Sequence, residues 1–407
     1  MPEAVKVVSE KRKTNPPRVA LLLESSRAYG RRTLAGVAEY IRRNGYWSTF
    51  FQERSFDDIP EWLKNWRGDG ILARLDNAES IDIIQKLGIP VVYLCPVVSL
   101  PDVPRIITND AEVSREAFEH LRERGFRNFA FCGYNGADYS DLRREAFADC
   151  VSEIGQTCHI FDGRQKQVSG HTVKIENTGL ADAEFVARWL QSLPKPVGLM
   201  ACNDMRGQQL LNACREMGIA VPREVAVVGV DNDEILCNLS DPPLTSVVPN
   251  AECIGYEAAE MLATMMAGKK PKQPYRAITP TGIATRRSTE VLAVQDEKIA
   301  AVVRFIREHA CDGIDVSHIL RAVPMSRSTL ERRYEKVMRC SLKQDILRFR
   351  LDRAKQLLVE TDLSLKVIAE KIGLEHTEYL GRIFKKKNGI TPARFRAAAR
   401  VGIFPRG

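Results

Sequence analysis

The chain has 407 residues, of which 44% are hydrophobic, and its 60 Lys and Arg against 52 Asp and Glu give a net charge of +8. This length predicts two or three domains, and the hydrophobic content excludes an intrinsically disordered chain. No apolar run approaches the roughly 18 residues of a membrane span, so no membrane partner is expected. Residues 1–17 are polar and basic and lack the apolar core of an export signal, so we interpret them as a flexible tail of a cytoplasmic protein.

The cysteine and histidine patterns argue against a metal site. The 10 cysteines are scattered without a C-x-x-C pair, and the 6 histidines are dispersed. We therefore expect buried thiols in a reducing compartment, with no metal and no cofactor. Phosphate-binding, nucleophile-elbow and zinc-protease motifs are absent as well, so we predict a protein that is not an enzyme and has no catalytic residues.

From Arg18 to Ala284, short Val-, Ile- and Leu-rich runs alternate with amphipathic stretches. The predicted strands are Val19–Leu23, Gly70–Ala73, Val91–Leu94, Ile106–Ile107, Asn128–Cys132, Val197–Cys202, Val225–Val230 and Thr245–Val247. The predicted helices are Arg31–Asn44, Ala111–Arg124, Arg144–Ile154, Ala181–Gln191, Met205–Met217 and Ile254–Ala267. This alternation indicates parallel sheets covered on both faces. Polar residues follow several strands, and such sheets bind ligands at these carboxyl ends.

From Ile299 onward the pattern is entirely helical, and the positive charge is concentrated here. Residues 296–407 contain 24 Lys and Arg against 14 Asp and Glu, a net of +10, so residues 1–295 carry −2. Two similar halves, Val316–Val337 and Leu365–Lys387, each contain a short helix, a turn and a longer basic helix, and a helix over Leu342–Glu360 joins them. Paired helix-turn-helix units with excess positive charge predict double-stranded DNA as a partner.

This C-terminal region resembles the AraC/XylS-type DNA-binding domain over residues 299–398. The motifs that carry the resemblance are Ile368-Ala369, Gly373, Arg382-x-Phe384-Lys385, Gly389-x-Thr391-Pro392 and Phe395-Arg396. The resemblance implies that the second helix of each unit, Ser326–Val337 and His376–Lys387, enters the major groove. The candidate DNA contacts are Arg327, Ser328, Thr329, Arg332, Arg333, His376, Thr377, Glu378, Arg382, Lys385 and Lys386. Arg can read guanine, whereas the lysines suit phosphate; Leu330, Ile383 and Phe384 are expected in the core.

Residues 18–288 resemble the LacI-type effector domain, a two-lobed fold shared with periplasmic sugar-binding proteins. The motifs are Thr108-Asn109-Asp110, Gly218-x-x-Val221-Pro222, Gly229-Val230-Asp231 and Pro243-Leu244-Thr245, although Asn109-Asp110 reverses the order expected from the family. The resemblance implies that the chain crosses between lobes near residues 108–110, 245–248 and 278–281. It also implies sugar contacts at Arg143, Asn203 and Asp231, with Ser25, Tyr29 and Asp76 as candidates from the first lobe. The adjacent Arg144 is an alternative to Arg143, and a structural role in a turn is the alternative for Asp231. Arg and Asn supply donors for hydroxyls, and Asp accepts hydroxyl hydrogens.

The order of these parts resembles the xylose operon regulators of the XylR type, with a linker at residues 289–298 and a tail at 399–407. Further similarity lies in Ala28-Tyr29-Gly30-Arg31 and Arg286-Arg287-Ser288-Thr289. The implied fold is a two-lobed α/β domain followed by an all-α domain with two helix-turn-helix units. The implied function is a sugar-responsive regulator that activates a pentose operon, with xylose as the first effector to test and with RNA polymerase and a second copy of the chain as partners. The alternatives are a different sugar or a non-sugar effector, a constitutive architectural DNA-binding protein, and an enzyme.

Overall fold

The computed structural model describes residues 15–52, 61–75, 78–95, 103–162, 176, 182–290, 296–338, 340–388 and 390–401. Its strands are β1 Arg18–Leu22, β2 Ser48–Phe51, β3 Gly70–Ala73, β4 Val91–Tyr93, β5 Arg105–Thr108, β6 Asn128–Cys132, β7 Cys158–Ile160, β8 Val197–Ala201, β9 Val225–Val230, β10 Thr245–Val248, β11 Tyr275–Ile278 and β12 Gly282–Ala284. They form two six-stranded sheets, in the orders β11-β5-β4-β3-β1-β2 and β12-β10-β9-β8-β6-β7. The pairing of β10 with β12 is antiparallel, and the other pairings within both sheets are parallel.

Helices cover these sheets and then form the C-terminal domain. In chain order they are α1 Ala28–Asn44, α2 Ala78–Lys86, α3 Asp110–Glu123, α4 Asp138–Glu153, α5 Ala183–Ser192, α6 Asp204–Glu216, α7 Glu234–Leu239, α8 Ala251–Met266, α9 Glu297–His309, α10 Val316–Ala322, α11 Arg327–Met338, α12 Leu342–Glu360, α13 Leu365–Lys371, α14 Thr377–Asn388 and α15 Pro392–Val401. None of the helices in the described ranges has both the length and the apolar character needed to cross a bilayer.

The two sheets are the centres of two lobes, and the chain passes between the lobes three times. It leaves the first sheet after β5 and enters the second lobe with α3, whose apolar side chains lie in the second-lobe core. It returns after β10 with α8, which packs against α1 in the first lobe. The last passage runs from β11 in the first sheet to β12 in the second. The carboxyl ends of both sheets and the passages between the lobes therefore lie close together.

Close approach of α1 and α8 depends on two glycines. A Cβ on Gly36 would lie 1.9 Å from the carbonyl oxygen of Glu252, and a Cβ on Gly255 would lie 1.9 Å from that of Thr33. Only hydrogen at these positions lets the two backbones touch. The contact fixes α1, which follows directly after the polar end of β1 at the cleft.

The C-terminal domain has two apolar cores, one for each helix-turn-helix unit. The first gathers side chains from α9 to α11, the second gathers side chains from α13 to α15, and α12 contributes to both. Ser341 begins α12 with a capping box, in which its hydroxyl accepts from the backbone N–H of Gln344. The predicted fold class, a two-lobed α/β domain followed by an all-α domain with two helix-turn-helix units, is confirmed.

Several elements differ from the sequence prediction. The edge strands β2 and β7, together with β11 and β12, were not predicted, since they are short and largely exposed or only partly buried. Helix α4 begins at Asp138, a turn and a half before the predicted Arg144. Thr289 was assigned to the linker, but its side chain is buried and lies 2.8 Å from the hydroxyl of Thr245.

Candidate ligand cleft and nucleic-acid interface

Arg143 lies on α4 in the second lobe and is held by two acceptors. Its Nε donates to Oδ1 of Asp110 over 2.7 Å, and its Nη1 donates to the carbonyl of Cys202 over 2.6 Å. Asp110 is the first residue of α3, and Asn109 caps that helix by accepting from the N–H of Glu112. In the reversed Asn109-Asp110 pair, the amide therefore caps the helix and the carboxylate orients Arg143.

Asp231 follows β9 in an unusual backbone conformation. Its φ is 104°, in the left-handed half of the map that a non-glycine residue seldom adopts, and the φ of Asn232 is 46°. The Asp231 N–H donates to the carbonyl of Val247 over 3.1 Å, which holds this turn. Burial raises the pKa of Asp231 to about 6, against the opposing charges of Arg143 and Arg74. Strained backbone of this kind concentrates at functional sites.

Asn203 caps a helix with one end of its amide, and the other end contacts polar side chains of the cluster. Its Oδ1 accepts from the N–H of Arg206 over 2.9 Å and so caps α6. Its Nδ2 lies 3.1 Å from the hydroxyl of Tyr139 and 3.5 Å from Oε1 of Glu176. A donor at this position suits a ligand hydroxyl.

The first lobe contributes Tyr29 and a buried ion pair. The Tyr29 hydroxyl lies 3.0 Å from Oγ1 of Thr108, and the Arg74 guanidinium lies 4.4 Å from the centre of the Tyr29 ring. Arg74 is paired with Glu24, whose side chain is buried at the end of β1. Burial raises the pKa of Tyr29 to about 12, so its hydroxyl stays protonated. The carbonyl of Ser25 accepts from Nη1 of Arg31 over 2.9 Å, and Asp76 lies outside the described residues.

Side-chain contacts join the lobes across this cluster. Arg27 of the first lobe forms an ion pair with Glu176, whose Oε1 also accepts from the Tyr139 hydroxyl over 2.6 Å. Arg32 on α1 donates to the carbonyl of Asn232 over 3.1 Å. The structure thus brings Arg143 and Asn203 together at Tyr139, since the Arg143 guanidinium lies 5.2 Å from the centre of the Tyr139 ring and Asn203 Nδ2 lies 3.1 Å from the Tyr139 hydroxyl. Asp231 lies near enough for its charge to raise the pKa of both Tyr29 and Arg143.

Sequence reasoning missed four residues of this cluster, namely Arg27, Arg74, Tyr139 and Glu176. Arg74 directly follows β3, so the rule that polar strand ends form the site would have identified it. Nothing in the sequence around Glu176 distinguishes it from the many exposed glutamates of the chain. Its role as a partner of Arg27 depends on contacts across 149 positions of sequence.

The candidate DNA contacts lie on α11 and α14. The buried Leu330, Tyr334 and Met338 recur every four residues and anchor α11 by one face. Leu380 and Phe384 anchor α14 in the same way, with the Phe384 ring packed edge-on against Phe395 at 5.3 Å. The expected core positions Leu330 and Phe384 are fully buried, and Ile383 is partly buried.

On the outward faces of α11 and α14, the predicted DNA contacts differ in solvent exposure and in their contacts within the protein. Exposed positions are Arg327, Ser328, Arg332, His376, Glu378, Arg382, Lys385 and Lys386, and partly buried ones are Thr329, Arg333 and Thr377. Arg327 donates to Glu331 over 3.0 Å, and Arg333 donates to Asp296 over 2.9 Å. The Arg382 guanidinium lies 5.5 Å from the ring centre of Tyr379. Gly389, a residue of the sequence motif, lies outside the described residues.

A two-lobed α/β domain with a charged cluster between its lobes, followed by paired helix-turn-helix units, defines the class of ligand-responsive DNA-binding regulators. Three family models match along the chain, described as an XylR N-terminal domain at residues 18–110, a periplasmic binding protein-like domain at 118–289 and a helix-turn-helix domain at 319–398. Together they cover both domains.

Relatives that match over nearly all of this chain identify the particular family. The chain is 31% identical to the xylose operon regulatory protein of Haemophilus influenzae over 93% of this chain and 98% of that protein. It is 30% identical to the protein of the same name from Escherichia coli K12, over 94% and 97%. A solved structure described as the xylose-binding transcription activator xylR covers 95% of this chain and 99% of its own, with 30% identity and a TM-score of 0.58. The chain belongs to the family of xylose operon regulatory proteins.

Proposed function

We propose that this protein is a xylose-responsive transcription regulator that binds operator DNA through α11 and α14. The observation that carries the proposal is that Arg143 on α4 and Asn203 at the cap of α6 both contact Tyr139, while Asp231 follows β9 at the same carboxyl edge of the second sheet. Arg143 and Asn203 supply donors, and Asp231 supplies an acceptor. This is the complement of a sugar, whose hydroxyls both donate and accept.

The charge pairing of the cluster favours a neutral ligand. Three arginines each already face a carboxylate, in the pairs Arg74–Glu24, Arg27–Glu176 and Arg143–Asp110. An anionic ligand would have to displace a carboxylate from one of these buried pairs and leave a charge without compensation, which is costly. A neutral polyol can add hydrogen bonds to them instead. Ser25, Tyr29 and Asp76 would line the first-lobe side of the same ligand.

The DNA-binding part of the proposal concerns the exposed cations. Arg332 and Arg382 would read bases, while Lys385 and Lys386 would contact phosphates, which adds affinity without sequence preference. We infer further that the protein acts in the cytoplasm as a homodimer that forms through the α/β domain, that it activates transcription with RNA polymerase, and that it has no enzymatic activity. The names of its relatives, xylose operon regulatory proteins, support this assignment.

The experiment is a thermal-shift screen of the purified protein against pentoses and hexoses, followed by operator binding with and without the active sugar. A ligand at 100 times its Kd stabilises the folded state by about 2.7 kcal/mol, which raises the Tm by a few degrees. A selective shift with xylose, together with a change in DNA affinity, is expected. A shift with another sugar alone would change the effector but keep the mechanism. No shift with any sugar, or sugar-independent DNA binding, would contradict the proposal.

A further inference from the structure

Helix α3 has a side chain of the ligand cleft at its first residue and a contact with the DNA-binding domain at its last. At the first residue, Asp110 accepts from Nε of Arg143 over 2.7 Å. At the last residue, Glu123 forms an ion pair with Arg348 on α12, with its Oε1 3.1 Å from Nε. At about 1.5 Å of rise per residue, the helix spans on the order of 20 Å between them. One helix therefore contacts both the candidate ligand cluster and the DNA-binding domain.

The helix is held tightly within the second lobe along its length. Val113, Ala117 and Leu121 are fully buried in the core of that lobe. The hydroxyl of Ser114 donates to the carbonyl of Arg143 over 3.0 Å, which joins α3 to α4 beside the cleft. Closely packed protein interiors transmit small displacements. A movement of Arg143 is therefore expected to move α3 as well.

Within the DNA-binding domain, Arg348 is linked through Asp345 to α11, which is the first of the two recognition helices, α11 and α14. Its Nη2 lies 2.5 Å from Oδ1 of Asp345, which is buried. The Tyr334 hydroxyl donates to Oδ2 of the same carboxylate, and Tyr334 is a buried anchor of α11. The groups Glu123, Arg348, Asp345 and Tyr334 thus form a continuous polar chain from the end of α3 to a helix with candidate DNA contacts.

The same end of α3 also holds the residues that precede the linker. Arg124 donates through Nε to the carbonyl of Thr289 over 3.0 Å, and Nε2 of His120 lies 2.8 Å from the Thr289 hydroxyl. The residues that precede the linker and helix α12 therefore both contact the C-terminal end of α3. A movement of this end of α3 would act on the DNA-binding domain at these two points.

Charges at this contact are closely balanced. Burial raises the pKa of Glu123 to about 7 despite the neighbouring Arg348, and burial together with Arg307 lowers the pKa of Arg124 to about 9. In such partly buried pairs, the cost of removing charges from water offsets much of their attraction. A contact with a small net free energy can be favoured in one state of the protein and lost in another.

We propose that α3 transmits the state of the sugar site to the DNA-binding domain, and that the Glu123–Arg348 ion pair is the contact through which it acts. This inference rests on the proposed function, since it names how the sugar and DNA sites are coupled. Asp110 is a positioning residue in this scheme, because it fixes Arg143 relative to α3. A sugar that binds Arg143 and Asp231 more tightly in one of two lobe arrangements favours that arrangement and so changes the position of α3. The Glu123–Arg348 ion pair forms in only one of the two arrangements.

The test compares operator affinity with and without saturating xylose for the wild-type protein and four variants, one of which is a control. The probe is a DNA duplex selected by the wild-type protein from a random-sequence pool. The variants are Glu123→Gln and Arg348→Gln, one from each domain, and their double variant. The matched control is Glu153→Gln. It removes a carboxylate on α4 that lies 3.5 Å from the guanidinium of Arg115, a residue of α3 like Glu123. For the wild type, xylose should change operator affinity by a factor in the usual range of about 5–150.

In Glu123→Gln and Arg348→Gln we expect this factor to fall to within about twofold of unity, and the double variant to show no further loss. Both single variants should keep the rise in Tm with xylose, and Glu153→Gln should keep the wild-type factor. Wild-type factors in both single variants would overturn the inference. Loss of the xylose shift in folded Glu123→Gln would assign this residue to the sugar site and would also overturn it. A wild-type protein without any response to xylose would instead refute the proposed function on which the inference rests.

Discussion

Nε of Arg333, on the first recognition helix, donates to the carboxylate of Asp296 over 2.9 Å. Asp296 is also the cap of α9, where its Oδ1 accepts from the N–H groups of Lys298 and Ile299. One aspartate therefore starts the DNA-binding domain and holds a side chain that the sequence had suggested for DNA. The neighbouring Arg332 is exposed and, of the two, is the better placed for an intermolecular contact.

The different roles expected for the adjacent Arg332 and Arg333 can be distinguished by experiment. Arg332→Ala should reduce operator affinity by about 5- to 150-fold if the side chain reads a base, and should leave the Tm unchanged. Arg333→Ala should lower the Tm, because it removes the partner of Asp296, and should reduce DNA affinity less. Fluorescence anisotropy with the selected duplex and a melting curve measure both. Equal effects of the two substitutions on both quantities would contradict this division.

The second recognition helix allows a comparison of base and phosphate contacts. Arg382→Ala should weaken binding to the selected operator more than to an unrelated duplex, while Lys386→Ala should weaken both equally and lower the salt dependence of binding by about one counterion. In both variants the xylose-induced rise in Tm should persist, because the sugar site lies in the other domain. Simultaneous loss of sugar and DNA binding would mean misfolding instead.

Asp231 makes sugar binding dependent on pH. Its pKa is raised from 3.8 to about 6 by burial, so the ionised carboxylate, which is the stronger acceptor, predominates only above that pH. The affinity for xylose should therefore fall as the pH drops from 7 to about 5, as measured by titration calorimetry. Because the folded pKa lies above the unfolded one, the same group lowers folding stability as the pH rises from about 4 to 6.

The control for this prediction is Asp231→Asn, which cannot ionise. It should bind xylose weakly at every pH, with a flat profile over the same range. A variant with wild-type affinity at pH 7 would remove Asp231 from the sugar site. A wild type whose affinity is independent of pH would show that another group accepts the sugar hydroxyls.

Two glycines in the second helix-turn-helix unit should respond oppositely to alanine. Gly373 has a φ of +71°, and a Cβ there would lie 2.5 Å from the backbone nitrogen of Gly313. Gly373→Ala should lower the free energy of unfolding by at least about 1–2 kcal/mol, the cost of the left-handed conformation alone. Gly381 lies within α14 with open space at its Cβ position, so Gly381→Ala should stabilise by about 0.5–1 kcal/mol. Urea denaturation of the full chain tests both, and stabilisation by Gly373→Ala would contradict the close packing of these turns.

Local sequence patterns were sufficient for the main elements of the fold. The apolar runs Asn128–Cys132 and Val225–Val230 and the helix Leu342–Glu360 have the predicted bounds. The two strands are continuously buried apolar runs, and the helix is defined by periodic burial and by its cap at Ser341. All of these signals act within a few residues. The edge strand Ser48–Phe51 has no such pattern, because its side chains are mostly exposed.

For the site, the sequence by itself determined which polar residues follow the strands, because the carboxyl ends of parallel strands share one edge of a sheet. Only the tertiary structure decided how they pair. Glu24 meets Arg74, Arg27 meets Glu176, Asp296 holds Arg333 and Glu123 meets Arg348, over separations from 37 to 225 residues for the last three. An ion pair depends on distances of a few ångströms between side chains that are remote in sequence, and only the packing of both domains sets those distances.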